Sequence, residues 1–139
     1  MCLIERFKGE FEFLSNFFEH KIILDGEEYA TLEHAYQASK CLTLDCRKMF
    51  RNPRLRAGTA KKLGRRVLIR SDWEEVKDQV MLDLLRKKFS DPDLKKLLQN
   101  TTPCALVEVN NWDDHYWGVD GWGKNMLGKL LMQVRDENA

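Results

Sequence analysis

No stretch of this chain approaches the roughly 20 consecutive apolar residues needed to span a bilayer. The N-terminal MCLIERFKGE also places charges where a secretory signal needs an apolar core. Both absences predict a soluble, cytoplasmic protein with no membrane partner. There is little excess of either charge. Twenty-three basic side chains face 22 acidic ones, for a net charge of +1, so no global field draws in a polyanion and any phosphate must be held locally. Cysteine is sparse: the four, at 2, 41, 46 and 104, form no C-x2-C pair, and the one close pair, Cys41 and Cys46, has no partner pair at zinc spacing. The expectation is four reduced thiols, no metal and no cofactor. Repeats, low-complexity tracts and linkers are absent too, so the 139 residues read as one domain, 1–139, able to bury a core without staples.

What is present alternates irregularly. Phe7 to Phe18, FKGEFEFLSNFF, carries five phenylalanines and suits a half-buried strand broken at Ser15 and Asn16. Lys21 to Leu24, then Asp25-Gly26, then Glu27 to Tyr29 reads as a hairpin, because Asp-Gly supplies the positive φ of a two-residue turn. Asp45 to Phe50 continues as helix or turn, and Asn52-Pro53 restarts the chain in a helix to Leu63 closed by Gly64. Ser71 with Glu74 forms a capping box ahead of Trp73, Val76, Val80, Leu84 and Phe89 at helical period. Asp91-Pro92 opens a further helix to Leu98, Ala105 to Val109 is a strand, and Lys124 to Arg135 is an amphipathic helix. Few strands, many helices and no βαβ alternation predict an α+β domain, mostly helical with a small β-sheet.

Two segments carry potential chemistry. In Thr31 to Lys40, TLEHAYQASK, Thr31 is a good N-cap, and Glu33 falls in the first turn, where the helix dipole favours a carboxylate. Glu33, Gln37 and Lys40, at i, i+4 and i+7, share one face. That spacing is equally that of a solvated acid-and-lysine face. His34 can bond the helix start instead of reacting. The second segment, NNWDDHYWGVDGWG from Asn110 to Gly123, packs three tryptophans, three aspartates and three glycines into one loop, a composition that binds a ligand or plugs a core. Gly118 beside Trp117 would let a ligand approach the backbone. Trp73 reads as core.

The motifs S-N-F at Ser15 to Phe17, E-H-x-x-Q-A-x-K at Glu33 to Lys40, and D-x-x-W-G followed by G-x-G-x-N-x-L-G from Asp114 to Gly128 occur here in that order. Together they resemble the NADAR family, also called YbiA-like, over nearly the whole chain. The resemblance implies a YbiA-like fold and an N-glycosidase that cuts the ribose C1–N bond of a ribosylated heterocycle. The substrate would be a phosphoribosylamino-pyrimidine of riboflavin biosynthesis or an ADP-ribosylated guanine, free or within nucleic acid. It implies Glu33, Lys40 and Asp114 as catalytic residues, with Asn16, Tyr36, Gln37, Trp117, Gly118 and Asn125 binding the substrate. A water activated by Glu33 or Asp114, or a Schiff base on Lys40, would serve the chemistry. Two other readings stay open: a non-catalytic module binding ADP-ribose or another NAD derivative through the same residues, and a helical interaction domain docking a protein by its tryptophan loop.

Overall fold

A computed structural model describes Cys2–Ala139. In chain order its elements are β1 (Leu3–Ile4), a short 3₁₀ helix (Gly9–Leu14), β2 (Ile22–Leu24), β3 (Glu27–Tyr29), α1 (Leu32–Lys40), α2 (Leu44–Met49) and α3 (Ala57–Leu63). Then follow α4 (Trp73–Lys88), α5 (Pro92–Gln99), β4 (Ala105–Leu106) and α6 (Met126–Glu137). The architecture is α+β, mostly helical, with two small two-stranded sheets. The chain gathers into two compact units, one made of both ends, up to Ser15 and from Phe89 onward, and one made of Asn16–Lys88.

In the unit built from the chain ends, β1 lies parallel to β4, with Leu3 opposite Ala105 and Ile4 opposite Leu106. That register brings Cys2 and Cys104 together in a disulfide, their Cα atoms 4.6 Å apart across 102 residues of sequence. Cys41 and Cys46 are likewise joined, with Cα atoms 5.8 Å apart. Four reduced thiols were expected; the pairing follows from strand register and from the tight turn into α2, neither of which spacing motifs reveal. Arg135 on α6 is buried, and its guanidinium donates to Thr101 Oγ1 at 3.1 Å and Cys104 O at 2.8 Å, fastening the α5–β4 turn to the last helix. Gly128 is the close-contact point of α6: a Cβ there would lie 2.1 Å from Leu106 O and 2.4 Å from Asn125 Nδ2. Both neighbours are fixed, one being strand backbone and the other hydrogen-bonded to it. Gly128→Ala should therefore cost about 1 to 3 kcal/mol of stability, as overpacking does, read as a lower denaturant midpoint with unchanged slope.

In the unit Asn16–Lys88, β2 and β3 form the expected hairpin, with Asp25 at φ 52° and Gly26 at φ 79° in its turn. The aromatic run before it is not a strand. Gly9 at φ 58° opens the 3₁₀ helix, and adjacent Phe13 and Leu14 are both buried, which a strand's alternation forbids. Elsewhere the expected elements are present with shifted ends. Helix α3 begins at Ala57 because Arg56 is extended at ψ 153°. Helix α4 begins at Trp73 with Asp72, not Ser71, as the residue whose carbonyl accepts from Val76 N. Only Ala105–Leu106 of the predicted strand pairs as β4. Helix α6 begins after Asn125, which sits at φ 54° and so cannot join it.

Lys88 ends α4 at 1% exposure, with its Nζ 5.6 Å from the centroid of the Phe18 ring. Burial pushes its pKa down to about 7. The unfolded chain, titrating near 10.4, then holds one more proton than the native state between about pH 7 and 10. Stability should climb with pH through that window and be flat in this term below it. Lys88→Met should remove most of that slope in denaturant melts across the range.

Candidate active site

Helix α1 is buried almost throughout: Leu32 to Ser39 are all inaccessible, and Lys40 alone is half-exposed. Thr31 caps it as expected, its Oγ1 accepting from His34 N at 3.3 Å. The His34 ring closes the same turn. Its Nε2 lies 2.7 Å from Leu55 O, a carbonyl that can only accept, so the proton sits on Nε2 and Nδ1 accepts from the Thr31 hydroxyl at 2.8 Å. Both ring nitrogens are thereby engaged. His34 ties α1 to the 53–56 segment, consistent with a role at the helix start.

The face expected to carry chemistry is built as the spacing predicts, but inside the protein. Glu33 is 4% exposed and accepts a 2.6 Å hydrogen bond from Gln37 Nε2. Because a carboxylate can only accept there, the Gln37 carbonyl is turned the other way. Its Oε1 is buried without a hydrogen-bond partner, against Gly64, where a Cβ would stand 1.8 Å from it. Asn16 meets the same helix: its backbone O accepts from Glu33 N at 3.1 Å, and its Nδ2 rests 3.6 Å from Met81 Sδ. Asn16 Oδ1 is a second buried acceptor without a partner. Buried carbonyl oxygens are seldom left so, and two beside one buried acid mark a place where donors are wanted.

Lys40 stands at the end of this face between two rings, with Nζ 5.9 Å from the Tyr36 centroid and 6.0 Å from that of Trp73. Those rings pack on each other at 5.2 Å, and Nζ also donates to Gly64 O at 3.4 Å. Burial lowers the lysine's pKa from its ordinary value. The Glu33 charge opposes that shift, while Lys61, Arg65 and Lys77 add to it. Trp73 is core, as expected, at 6% exposure, yet it also walls the lysine. That second role, like Gly64's, has no motif to announce it. The nearest signal is a tryptophan in the first turn of a helix, preceded by three arginines.

The remaining predicted residues lie together in the other unit. Asp114 Oδ1 accepts from Tyr116 N at 3.2 Å and Trp117 N at 2.9 Å, so this carboxylate shapes the loop. Trp117 is half-buried, edge-on to Tyr116 at 4.9 Å. The space beside Gly118 is used by the protein itself: a Cβ would meet Glu108 O at 2.5 Å and Asn110 Nδ2 at 2.7 Å. Asn125 donates from Nδ2 to Leu106 O at 2.9 Å and accepts from Glu108 N at 3.0 Å, bracing the end of β4. A stacked pair that motif reading passed over lies in the same loop, His115 on Trp122, with centroids 3.8 Å apart.

A buried acid, its amide partner and a desolvated amine thus share one helix. Comparison with known proteins fixes the class and then the family. The N-glycosidase YbiA of Escherichia coli (strain K12) is 40% identical over 131 residues, which is 90% of this chain and 80% of that protein. The NMR structure of the E. coli protein YbiA superposes with a TM-score of 0.83 at 38% identity, covering 98% of this chain and 84% of that one. The chloroplastic riboflavin biosynthesis protein PYRR of Zea mays is 36% identical over 142 residues, 88% of this chain but 23% of that longer protein. The chain is an N-glycoside hydrolase. Residues 5–137 match the NADAR domain, and the chain belongs to the NADAR family.

Proposed function

We propose that the substrate is a small phosphoribosylamino-heterocycle of the riboflavin pathway, and that Glu33, Gln37, Lys40 and Asn16 form the centre that cleaves its ribose C1–N bond. The observation that carries this reading is the desolvated Lys40, set between Tyr36 and Trp73 on the same helix face as a buried carboxylate. A ribosylamine opens its ring to a C1 iminium. The neutral Lys40 amine adds to C1, the heterocyclic amine departs with a proton, and the lysine is left in a Schiff base. Water then adds to C1, returning the free amine and a ribose aldehyde, so one water is consumed per bond cleaved. Glu33 shuttles the protons in both halves. Asn16 Oδ1 and Gln37 Oε1 accept from the sugar hydroxyls.

Within this reading Asp114 and Asn125 hold loop and strand in place, since their side chains are already bonded to backbone. The kinship with a riboflavin biosynthesis protein favours a pyrimidine over an ADP-ribosylated guanine. Incubation with a phosphoribosylamino-pyrimidine and, separately, with ADP-ribosylated guanosine tests the choice. Free base should appear from the first at least about tenfold faster per unit of kcat/KM. Faster release from the second would transfer the assignment to ADP-ribosylated guanine, and release from neither would remove the proposed substrate.

A further inference from the structure

The Asn16–Lys88 unit holds a cleft of about 910 Å³ that takes no part in the chemistry above. Its walls do not include Glu33, Gln37 or Lys40. Instead it opens on another side of α1, where Thr31 and His34 form part of its floor. Its rim is basic. His20, Lys21, Arg54 and Arg56 line it against a single acid, Glu19, in a chain whose charges otherwise balance. Lys21 shares its charge with Glu28 at 3.5 Å, but among the described residues neither Arg54 nor Arg56 has an ion-pair partner. Phe17 and Leu55 give the same cleft an apolar wall.

The volume lies in the range of small-ligand sites, and an apolar wall with a few convergent polar groups is how such sites fix orientation. Unpaired arginines are the side chains suited to a phosphoryl group, because the planar guanidinium offers two parallel donors. We propose that this cleft is a second ligand site, taking an organic phosphate of nucleotide size with its phosphoryl end at Arg54 and Arg56 and its ring against Phe17. The wall bearing the arginines is anchored to the catalytic helix through the His34–Leu55 hydrogen bond. The assignment stands apart from the glycosidase reading, so the two can fail separately.

The test is calorimetric titration of the full chain with ADP, followed by competition with inorganic pyrophosphate and with adenosine. ADP should bind, pyrophosphate should displace it, and adenosine should displace it far less well. Arg54→Gln with Arg56→Gln should weaken ADP by about tenfold or more. Lys96→Gln with Lys129→Gln, which removes the same charge from exposed positions elsewhere, should leave the affinity unchanged. Glu33→Gln should also leave it unchanged. Both arginines are exposed, so the double variant should melt with the wild type. Should it melt early, each single change is titrated instead and should cost about threefold. ADP affinity indifferent to the arginines, or lost in Glu33→Gln, would overturn the site. A 5′-phosphorylated single strand of about 12 nucleotides binding more than tenfold tighter than ADP would replace it with a nucleic-acid surface.

Discussion

Lys40→Arg is expected to abolish turnover, by roughly 1,000-fold or more, and with it the adduct that borohydride should trap on Lys40 in the wild-type enzyme. Between two rings and under the influence of Lys61, Arg65 and Lys77, the ammonium is disfavoured by burial and by like charge, against only the Glu33 carboxylate. A neutral amine is therefore reached at lower pH than for an exposed lysine, and a neutral amine is what attacks a C1 iminium. Arginine keeps the length, the charge and the stacking on Tyr36 and Trp73, so the fold and the ligand's electrostatic attraction should survive. Its guanidinium stays protonated and cannot add to carbon. Peptide mapping after borohydride reduction locates the adduct. Turnover retained in Lys40→Arg, with no wild-type adduct, would sink the covalent route and leave attack by an activated water.

How much of this was legible in advance depends on whether the signal was local. The Asp25-Gly26 hairpin, the Thr31 cap and the 33, 37, 40 stripe follow from backbone preference and helical period, which act over a few residues, and all three are present in the structure. The aromatic run before the hairpin misled because phenylalanine content favours strands, whereas Gly9 and the adjacent burial of Phe13 and Leu14 are tertiary facts. Both disulfides were missed for a related reason. Cys2 meets Cys104 only once β1 has found β4, a register that no cysteine spacing encodes. Within α1, periodicity places Glu33 and Lys40 on one face but cannot tell a solvated stripe from a buried one. The burial comes from elements far along the chain: Asn16 over Glu33, Gly64 against Gln37, and Trp73 beside Lys40. Gly118 shows the converse. A glycine read as making room for a ligand makes room for Glu108 and Asn110.

Glu33→Gln separates chemistry from architecture at the same helix. The carboxylate's visible contacts are structural: its backbone N–H holds Asn16 O, and its side chain accepts from Gln37 Nε2. A glutamine in its place has the same shape, still offers a carbonyl oxygen to Gln37, and leaves the backbone bond untouched, so the melting midpoint should hold. What disappears is a group that can take and return a proton. Turnover should fall by about 100-fold or more if Glu33 is the shuttle. A second readout marks the electrostatic link to Lys40. The Glu33 charge holds the Lys40 ammonium in place against burial, so removing it lowers the amine's pKa further. The residual activity should therefore persist to lower pH than in the wild type, with the acid limb of the rate profile displaced in that direction. Normal melting with normal turnover would remove Glu33 from the mechanism. A hundredfold loss whose acid limb stays where it was would leave Glu33 as a proton shuttle but break its electrostatic link to Lys40.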